Sequence, residues 1–453
     1  MSSSINLSSI LSALGSSSSG INVQEAVAEE IANESAPMYQ WEQQQSTLQT
    51  QTSDINSIES DITTLQNSLT ALSDPVGSLA SMTATSSDSS ILNASAAAGT
   101  AAGTHEVVVN NVATNASWYS TDVATSTTPL AAGTFNIQVG SGTPITVTTG
   151  SGVNTLNDVV NYINGLGAGV TASVLNDASG ARLALVSTNS GAANNFTVTN
   201  GSGLSFTQAS TGKDASLTVD GIPIDSASNT VTGAVNGLTL NLTGASPGTQ
   251  VSVSIAPDAS QVSQAITNFV SAYNTVIGDV NTQYTVSASN EEGPLAGDPA
   301  VSTLQSMLLG AASYSNGSSA VSTLASLGIT MNNDGTLTVD SSQLTSAIQS
   351  NFGAVQSFLQ GASSNGFAAT LNTQLNALTD PVSGAFTVDL QSISSENTDL
   401  QSQISDFQSY IKTRESYLTN EYNQADIALQ QLPILEQQIN AELGNSSSSS
   451  NKS

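Results

Sequence analysis

The run LQTQTSDINSIESDITTLQNSLTALSDPV, residues 48–76, decides how this chain is put together. Its apolar side chains fall at Leu48, Ile55, Ile58, Ile62, Leu65, Leu69 and Leu72, a 3-4 alternation that puts them on one narrow stripe of a helix. Between them stand Gln, Ser, Thr, Asn and a few acids. Asp74-Pro75 supplies the stop, because the residue before proline avoids the α region, so the helix is predicted to end near Ser73. Far downstream the same spacing returns at Leu390, Ile393, Leu400, Ile404, Phe407 and Ile411, with Asn397 as a polar residue at a seam position. Burying one such stripe is worth at most ~10–20 kcal/mol at ~1.5–3 per side chain, before conformational entropy is subtracted. Two helices lying on a globular body would carry similar stripes, but the regular spacing favours pairing of the two segments, with Ile62 in the neighbourhood of Ile404.

Beyond Ile411 the seam degrades at Arg414 and Glu421, resumes loosely through Leu418, Leu429, Leu432, Leu435 and Ile439, and meets Pro433, which is expected to kink or end the helix. Residues 445–453 are low in complexity and predicted disordered, and residues 5–14 are similarly polar with sparse Ile and Leu. Both ends read as segments that order only in an assembly.

The middle has a different texture. Between about residues 83 and 255 short alternating runs such as Glu106-Val107-Val108-Val109, Phe135-Asn136-Ile137-Gln138-Val139 and Val251-Ser252-Val253-Ser254-Ile255 read as strands, punctuated by Asp177-Ala178-Ser179-Gly180 and Asp220-Gly221 turns. One short helix is predicted at 156–166. From Gln261 the helical period resumes on a broader stripe of Val262, Ile266, Phe269, Val270, Tyr273, Ile277, Val280 and Tyr284; a hairpin around Asp334-Gly335 and a helix over 342–360 follow.

The fold class expected is α+β: a discontinuous helical coiled-coil stem formed by the N- and C-terminal segments, with inserted β-rich head domains. The layout divides into a flexible segment 1–40, a stem helix 41–82, a first part of the β head 83–130, an inserted β subdomain 131–204, a second part of the head 205–256, a helical stem with a hairpin 257–414, and a flexible segment 415–453.

Composition narrows the chemistry. With 34 acids, 5 basic residues and a net charge of −29, phosphate neutralisation is closed off, so no nucleic-acid partner is expected. The absence of cysteine removes disulfides, thiolate catalysis and thiolate metal sites. Charged residues make up only 9% of the chain, leaving a polar but uncharged surface. No run of about 18 apolar residues occurs, so no membrane insertion is expected, and residues 1–19 lack the basic and apolar regions of a cleavable signal peptide. His105 is the one histidine, and no nucleophile elbow accompanies it, so it reads as a strand residue with its ring partly exposed. Gly15 to Gly20 has Ile21 and Asn22 where a phosphate loop needs Lys and Ser or Thr. Asn332-Asn333-Asp334-Gly335 lacks the glutamate of a calcium loop and reads as a turn. Glu29-Glu30 and Glu291-Glu292 are sequence neighbours that point about 100° apart on a helix, and Tyr39, Trp41 and Trp118 read as packing or interface anchors. No catalytic, cofactor or metal residues are assigned.

Several segments taken together resemble the flagellar filament cap family, hook-associated protein 2. They are Leu14-Gly15 with Ser19-Gly20-Ile21-Asn22-Val23, and Thr104-His105-Glu106-Val107-Val108-Val109-Asn110-Asn111-Val112-Ala113. Residues 133–198 resemble a motif shared by flagellins and hook proteins. The most distinctive stretch is Asp220-Gly221-Ile222, Ser228-Asn229-Thr230-Val231, Gly237-Leu238-Thr239-Leu240-Asn241-Leu242, Phe269-Val270-Ser271-Ala272-Tyr273-Asn274, Gly293-Pro294-Leu295-Ala296-Gly297-Asp298 and Leu327-Gly328-Ile329 through Asp340. The opening carries extra serines and has Asn22 where the family places an acid. The resemblance implies a non-enzymatic subunit without cofactor, at the distal tip of an extracellular flagellum. It also implies a ring-like homo-oligomer of about five or six copies, with flagellin, the flagellar export apparatus and its chaperone as partners and host or matrix surfaces as further ones. A flagellin-like or hook–filament junction protein, and a surface adhesin, are the alternatives.

Overall fold

The computed structural model describes residues 22–286, 292–317, 319–361 and 365–448. The expectations for residues 5–14, 15–21, Glu291 and 449–453 lie outside them. Helix α1 (Val23–Glu34) is capped by Asn22, whose Oδ1 accepts from the Glu25 N–H at 3.3 Å while its Nδ2 donates to Glu25 Oε2 at 2.9 Å. After Ser35 the chain enters α2 (Ala36–Ser73), with Pro37 in the first turn, where no backbone donor is needed. Residues 23–40, expected to be flexible, are therefore helical. Their few apolar residues suffice because Ala26 and Val27 are buried. Asp74, extended before Pro75, terminates α2 at Ser73.

Three hydrophobic cores form among the described residues. The first head has a five-stranded antiparallel sheet in the order Met82–Ser86, Val251–Pro257, Gly103–Asn111, Ala215–Val219, Ile222–Ser226, and a three-stranded one in the order Thr230–Thr232, Leu238–Leu242, Leu92–Ala96. Alternate residues such as Val107, Val109, Val251, Val253 and Ile255 fill the space between. The second head has its own core, made by the sheet Phe206–Ser210, Ser117–Ser120, Gly180–Ser187, Val170–Asp177, the sheet Ile145–Thr149, Gly133–Val139, Phe196–Val198, and helix α3 (Leu156–Leu166). Thr155 and Asp158 close a capping box on α3, and Gly167, at φ 59°, ends it.

The second head is larger than the 131–204 expected for it. The chain enters at Thr114 and leaves at Lys213, where the two backbones exchange bonds of 2.9 and 3.2 Å. Ser117–Ser120 and Phe206–Ser210 pair with each other, and the former also pairs with Gly180–Ser187, so both belong to the second core. These segments are short and polar, and their alternation is too weak to assign them by pattern. The junction is pinned by Asn229, whose Oδ1 accepts from the Ala113 N–H at 2.6 Å and whose Nδ2 donates to the Ala113 carbonyl at 3.0 Å.

The third core is helical. It unites α2 with α4 (Ala259–Tyr284), α5 (Pro299–Ala312), α6 (Ser341–Leu359) and α7 (Phe367–Leu378). Asp258, Asp298 and Asp340 each accept two backbone N–H groups as N-caps of α4, α5 and α6. Tyr273, fully buried, donates to the Leu308 carbonyl at 3.0 Å, and burial pushes its phenol up to about 12. The hairpin Ile329–Met331 with Leu337–Val339 is held to α4 by Asn274, which bonds both backbone groups of Leu337. Last comes α8 (Ala385–Ser448), 64 residues and so ~96 Å long at 1.5 Å per residue. It runs through Pro433, where a kink or stop was expected. A proline there removes one intrahelical bond out of many, and the helix continues on both sides.

Candidate functional site

The feature that organises the molecule is the antiparallel seam between α8 and the α1–α2 arm. Trp41 meets Phe407 edge to face, with centroids 5.4 Å apart and planes at 86°. About two turns further along the arm toward its N-terminus, Arg414 Nε lies 3.0 and 3.3 Å from the two oxygens of Glu34, and its guanidinium covers the Tyr417 ring at 5.6 Å. Both partners of this ion pair are about four-fifths buried, with side chains 21% and 24% exposed. In the other direction, Leu48, Thr52 and Asn56 face Leu390, Ile393 and Asn397 across a groove of about 430 Å³.

These contacts fix the register. Glu34 faces Arg414 and Trp41 faces Phe407, so Ile404 falls beside the start of α2 and Ile62 beside the start of α8. Ile62 and Ile404 are thus not neighbours, contrary to the expectation from spacing. They lie some 18 residues out of step along α8, or ~27 Å. The reason is competition for the stripe. Ile55, Ile58, Ile62, Leu65, Leu69 and Leu72 are all buried in the core shared with α4–α7 and Phe386. The broader stripe of α4 covers apolar surface that a narrow α8 seam would leave wet. Only Leu48 of the seven faces α8 across the groove. On α8, Leu390 and Ile393 are half-buried at the edge of that core, Leu400 and Ile404 are buried, and Phe407 and Ile411 are half-buried.

Past Leu418, which is buried, the apolar side chains of α8 turn outward: Ile427, Leu432, Ile434, Leu435, Ile439 and Leu443 are each more than half exposed. Residues 415–448, expected to be flexible, are helical. Beside them, α1 and α8 enclose a groove of about 730 Å³ lined by Val23, Val27, Ile31, Tyr39, Glu415 and Thr419 among others.

The seam is anchored to the body by a loop that spacing alone did not single out. Gly293 N–H donates to the Gln283 carbonyl at 2.9 Å, Leu295 N–H donates to Gln283 Oε1 at 3.1 Å, and Gln51 Nε2 donates to the Pro294 carbonyl at 2.7 Å. A β-carbon on Gly293 would sit 2.6 Å from Gln283 Oε1 and 2.7 Å from its Cα, so only glycine fits. Nearby, Asp279 is pushed up to about 6 by burial, by its hydrogen bond with Asp61, and by the charges of Asp61 and Asp54 on α2. The other residues considered for chemistry have structural partners. His105 Nδ1 lies 2.7 Å from Asp220 Oδ2, and Asp220 Oδ1 also accepts from the Glu106 N–H, so the acid holds a turn whose Asp220 and Gly221 have φ of 51° and 81°. Asp334 accepts from Thr336 N–H and Oγ1 in the hairpin turn. Among the described residues no group of three or more His, Cys, Asp or Glu is placed to hold a metal, and no helix is long and apolar enough to cross a membrane.

The comparisons with known proteins follow the same architecture. The family profile "Flagellar hook-associated protein 2 N-terminus" matches residues 19–116, and "Flagellar hook-associated protein 2 C-terminus" matches residues 212–433. The chain belongs to the flagellar hook-associated protein 2 family. Between the two family segments, the "Flagellin hook IN motif" matches residues 134–189, inside the second head. The family profiles stop and restart close to Thr114 and Lys213, where the chain enters and leaves that head. Among hook-associated protein 2 sequences, the B-type protein of Pseudomonas aeruginosa is 31% identical over 66% of this chain and 69% of its own length. That of Escherichia coli K12 is 32% identical over 66% and 70%. The crystal structure of the flagellar cap protein FliD D1-D2-D3 domains from Escherichia coli is similar with a TM-score of 0.56 and 26% identity, covering 75% of this chain and 99% of that one.

The residues that set the register of this hook-associated protein 2 seam were visible only as anomalies. Arg414 is one of 5 basic residues in the chain and interrupts the stripe. A scarce cation placed where a seam wants an apolar residue is itself a sign of a specific acidic partner.

Proposed function

We propose that this chain is a structural, non-enzymatic subunit of a flagellar filament cap. It oligomerises at the distal tip and promotes folding and polymerisation of flagellin as the filament elongates, preventing loss of exported subunits. The observation that carries the reading is the antiparallel seam, which returns α8 alongside α1 and the first half of α2, while two β heads are inserted beyond the opposite end of α2. In this reading the heads form a plate shared by a ring of copies, and the stem reaches toward the filament. The stem-pairing set is Leu48, Ile55, Ile58, Ile62, Leu65, Leu69 and Leu72 with Leu390, Ile393, Leu400, Ile404, Phe407 and Ile411, most of the first group acting through the helical body. The exposed apolar positions of α8 from Ile427 to Leu443 then meet filament subunits. Uncharged Gln, Ser and Asn around them make and break hydrogen bonds without the desolvation cost of charged pairs, which suits a contact that must be released at each added subunit. Export through the flagellum's own channel, with a chaperone, is the route to the tip.

The test is complementation of a cap-less cell with a chain ending after Asn423, which keeps the Glu34–Arg414 and Trp41–Phe407 contacts. The expected outcome is a folded, exported protein that leaves filaments short and flagellin free in the medium. Full motility with this truncation would refute the docking role of distal α8. Loss of motility together with failure of the purified full chain to form rings would refute the cap reading itself.

A further inference from the structure

The chain contains five Asn-Gly pairs, at Asn164, Asn200, Asn236, Asn316 and Asn365. In such a pair the glycine backbone nitrogen can attack the asparagine side chain, provided that the nitrogen is not engaged and the peptide is free to turn. The fold blocks this at four of the five. Asn164 lies within α3, and its carboxamide bonds both backbone groups of Ala172, at 2.8 and 2.9 Å. Gly201 N–H donates to the Leu204 carbonyl at 3.0 Å, and Asn200 Oδ1 is held by the Phe206 N–H. Gly366 N–H donates to the Gln360 carbonyl at 3.0 Å in a crowded turn. Asn236 and Gly237 are the centre of a turn closed by the Leu238 N–H and the Val235 carbonyl at 3.1 Å. The Gly237 carbonyl, on the next peptide, accepts from Ala97 N–H and Thr100 Oγ1, and the Thr100 side chain crowds Gly237, so the closed turn holds the Asn236–Gly237 peptide although the Gly237 N–H itself makes no hydrogen bond among the described residues.

Asn316-Gly317 differs in combining two features: its glycine nitrogen is not engaged and no neighbour crowds it. Both residues are exposed, Gly317 sits at φ 108°, and nothing lies within 4 Å of the position a β-carbon would take. Among the described residues neither the Asn316 side chain nor the Gly317 N–H makes a hydrogen bond. The segment around it is anchored on both sides, by Tyr314, whose ring packs 5.7 Å from Phe358 and Phe367, and by the buried Val321.

We propose that Asn316 is a site of self-modification, at which the folded protein converts this asparagine to aspartate or isoaspartate. The Gly317 nitrogen, having lost its proton to hydroxide, bonds to the Asn316 side-chain carbonyl carbon. The bond from that carbon to the side-chain nitrogen breaks, and ammonia leaves with a proton taken from water. Water then opens the cyclic imide at either carbonyl, leaving one added negative charge and, in the isoaspartyl product, one extra atom in the main chain between the two anchors. This chemistry is independent of the cap role.

The experiment ages the purified full-length protein at neutral and mildly alkaline pH, folded and in urea, and maps peptides by mass spectrometry together with labelling by a protein isoaspartate methyltransferase. In the folded protein Asn316 is expected to react roughly tenfold or more faster than the other four, because those must first open locally. In urea all five are expected to react at comparable rates. The Asn316→Gln variant is expected to lose the main acidic band that wild type gains on isoelectric focusing. The proposal is overturned if another Asn-Gly pair reacts first in the folded protein. It is also overturned if Asn316 stays intact there while reacting in urea, or if the variant gains the acidic band at the wild-type rate.

Discussion

Replacing Asp279 by asparagine should stabilise the helical body at neutral pH. The carboxyl sits at the α2–α4 interface, facing Asp61 and Asp54, with one oxygen buried and without a hydrogen-bond partner. Raising its pKa from 3.8 to about 6 holds a proton in the folded state that the unfolded chain releases. The sign follows: below about pH 4 the group is protonated in both states and costs nothing, while the penalty grows as pH rises and is complete above about pH 6. About two pH units correspond to ~3 kcal/mol at 1.36 per unit, and partial exposure of the carboxyl reduces this to ~1–2 kcal/mol. Glu59 and Asp389, both raised by burial, add to the same slope. Asp88, Asp158, Asp177, Asp220, Asp334 and Asp380 are lowered by hydrogen bonds and oppose it only in more acidic solution. The assay is urea denaturation followed by far-ultraviolet circular dichroism at several pH values, for wild type and Asp279→Asn. The variant should match wild type near pH 4 and exceed it by ~1–2 kcal/mol near pH 7. Equal stability at neutral pH, or a variant advantage that grows on acidification, would refute the reasoning.

Three further outcomes follow from single contacts. Gly293→Ala forces a β-carbon against Gln283 and should cost ~1–3 kcal/mol by calorimetry while exposing the 292–298 loop to proteolysis; an unchanged digestion pattern would contradict this. Asn229→Ala leaves both backbone groups of Ala113 unpaired and should cost ~1–3 kcal/mol, loosening the two heads with respect to each other in small-angle scattering. A double-mutant cycle on Glu34→Gln and Arg414→Gln should give a coupling of about 1 kcal/mol that shrinks with added salt, and strictly additive effects would show that the pair does not hold the arm.

The stripe from Leu48 to Leu72 was legible in the sequence because periodicity specifies which face of a helix is buried. It does not specify the partner: α4 and α8 both present apolar residues, and only the relative widths of their stripes decide that α4 takes Ile55 to Leu72. Register was equally hidden, since Trp41, Phe407, Glu34 and Arg414 each occur singly, without a repeat to align. The second head escaped correct delimitation because Ser117–Ser120 and Phe206–Ser210 owe their strand structure to each other. Local composition records no such long-range pairing. By contrast, the turns at Asp220-Gly221 and Asp334-Gly335 were readable, because the positive φ of Gly221 and Gly335 is a local property.

The register of the seam is the measurement on which the account turns, and a chain without cysteine makes it clean. Paired cysteines introduced as Glu34→Cys with Arg414→Cys should cross-link intramolecularly in the native protein. Ile62→Cys with Ile404→Cys should remain unlinked by a short reagent, being ~27 Å out of step. Efficient linkage of the second pair without the first would contradict the antiparallel register and, with it, the shape from which the role of the stem is argued.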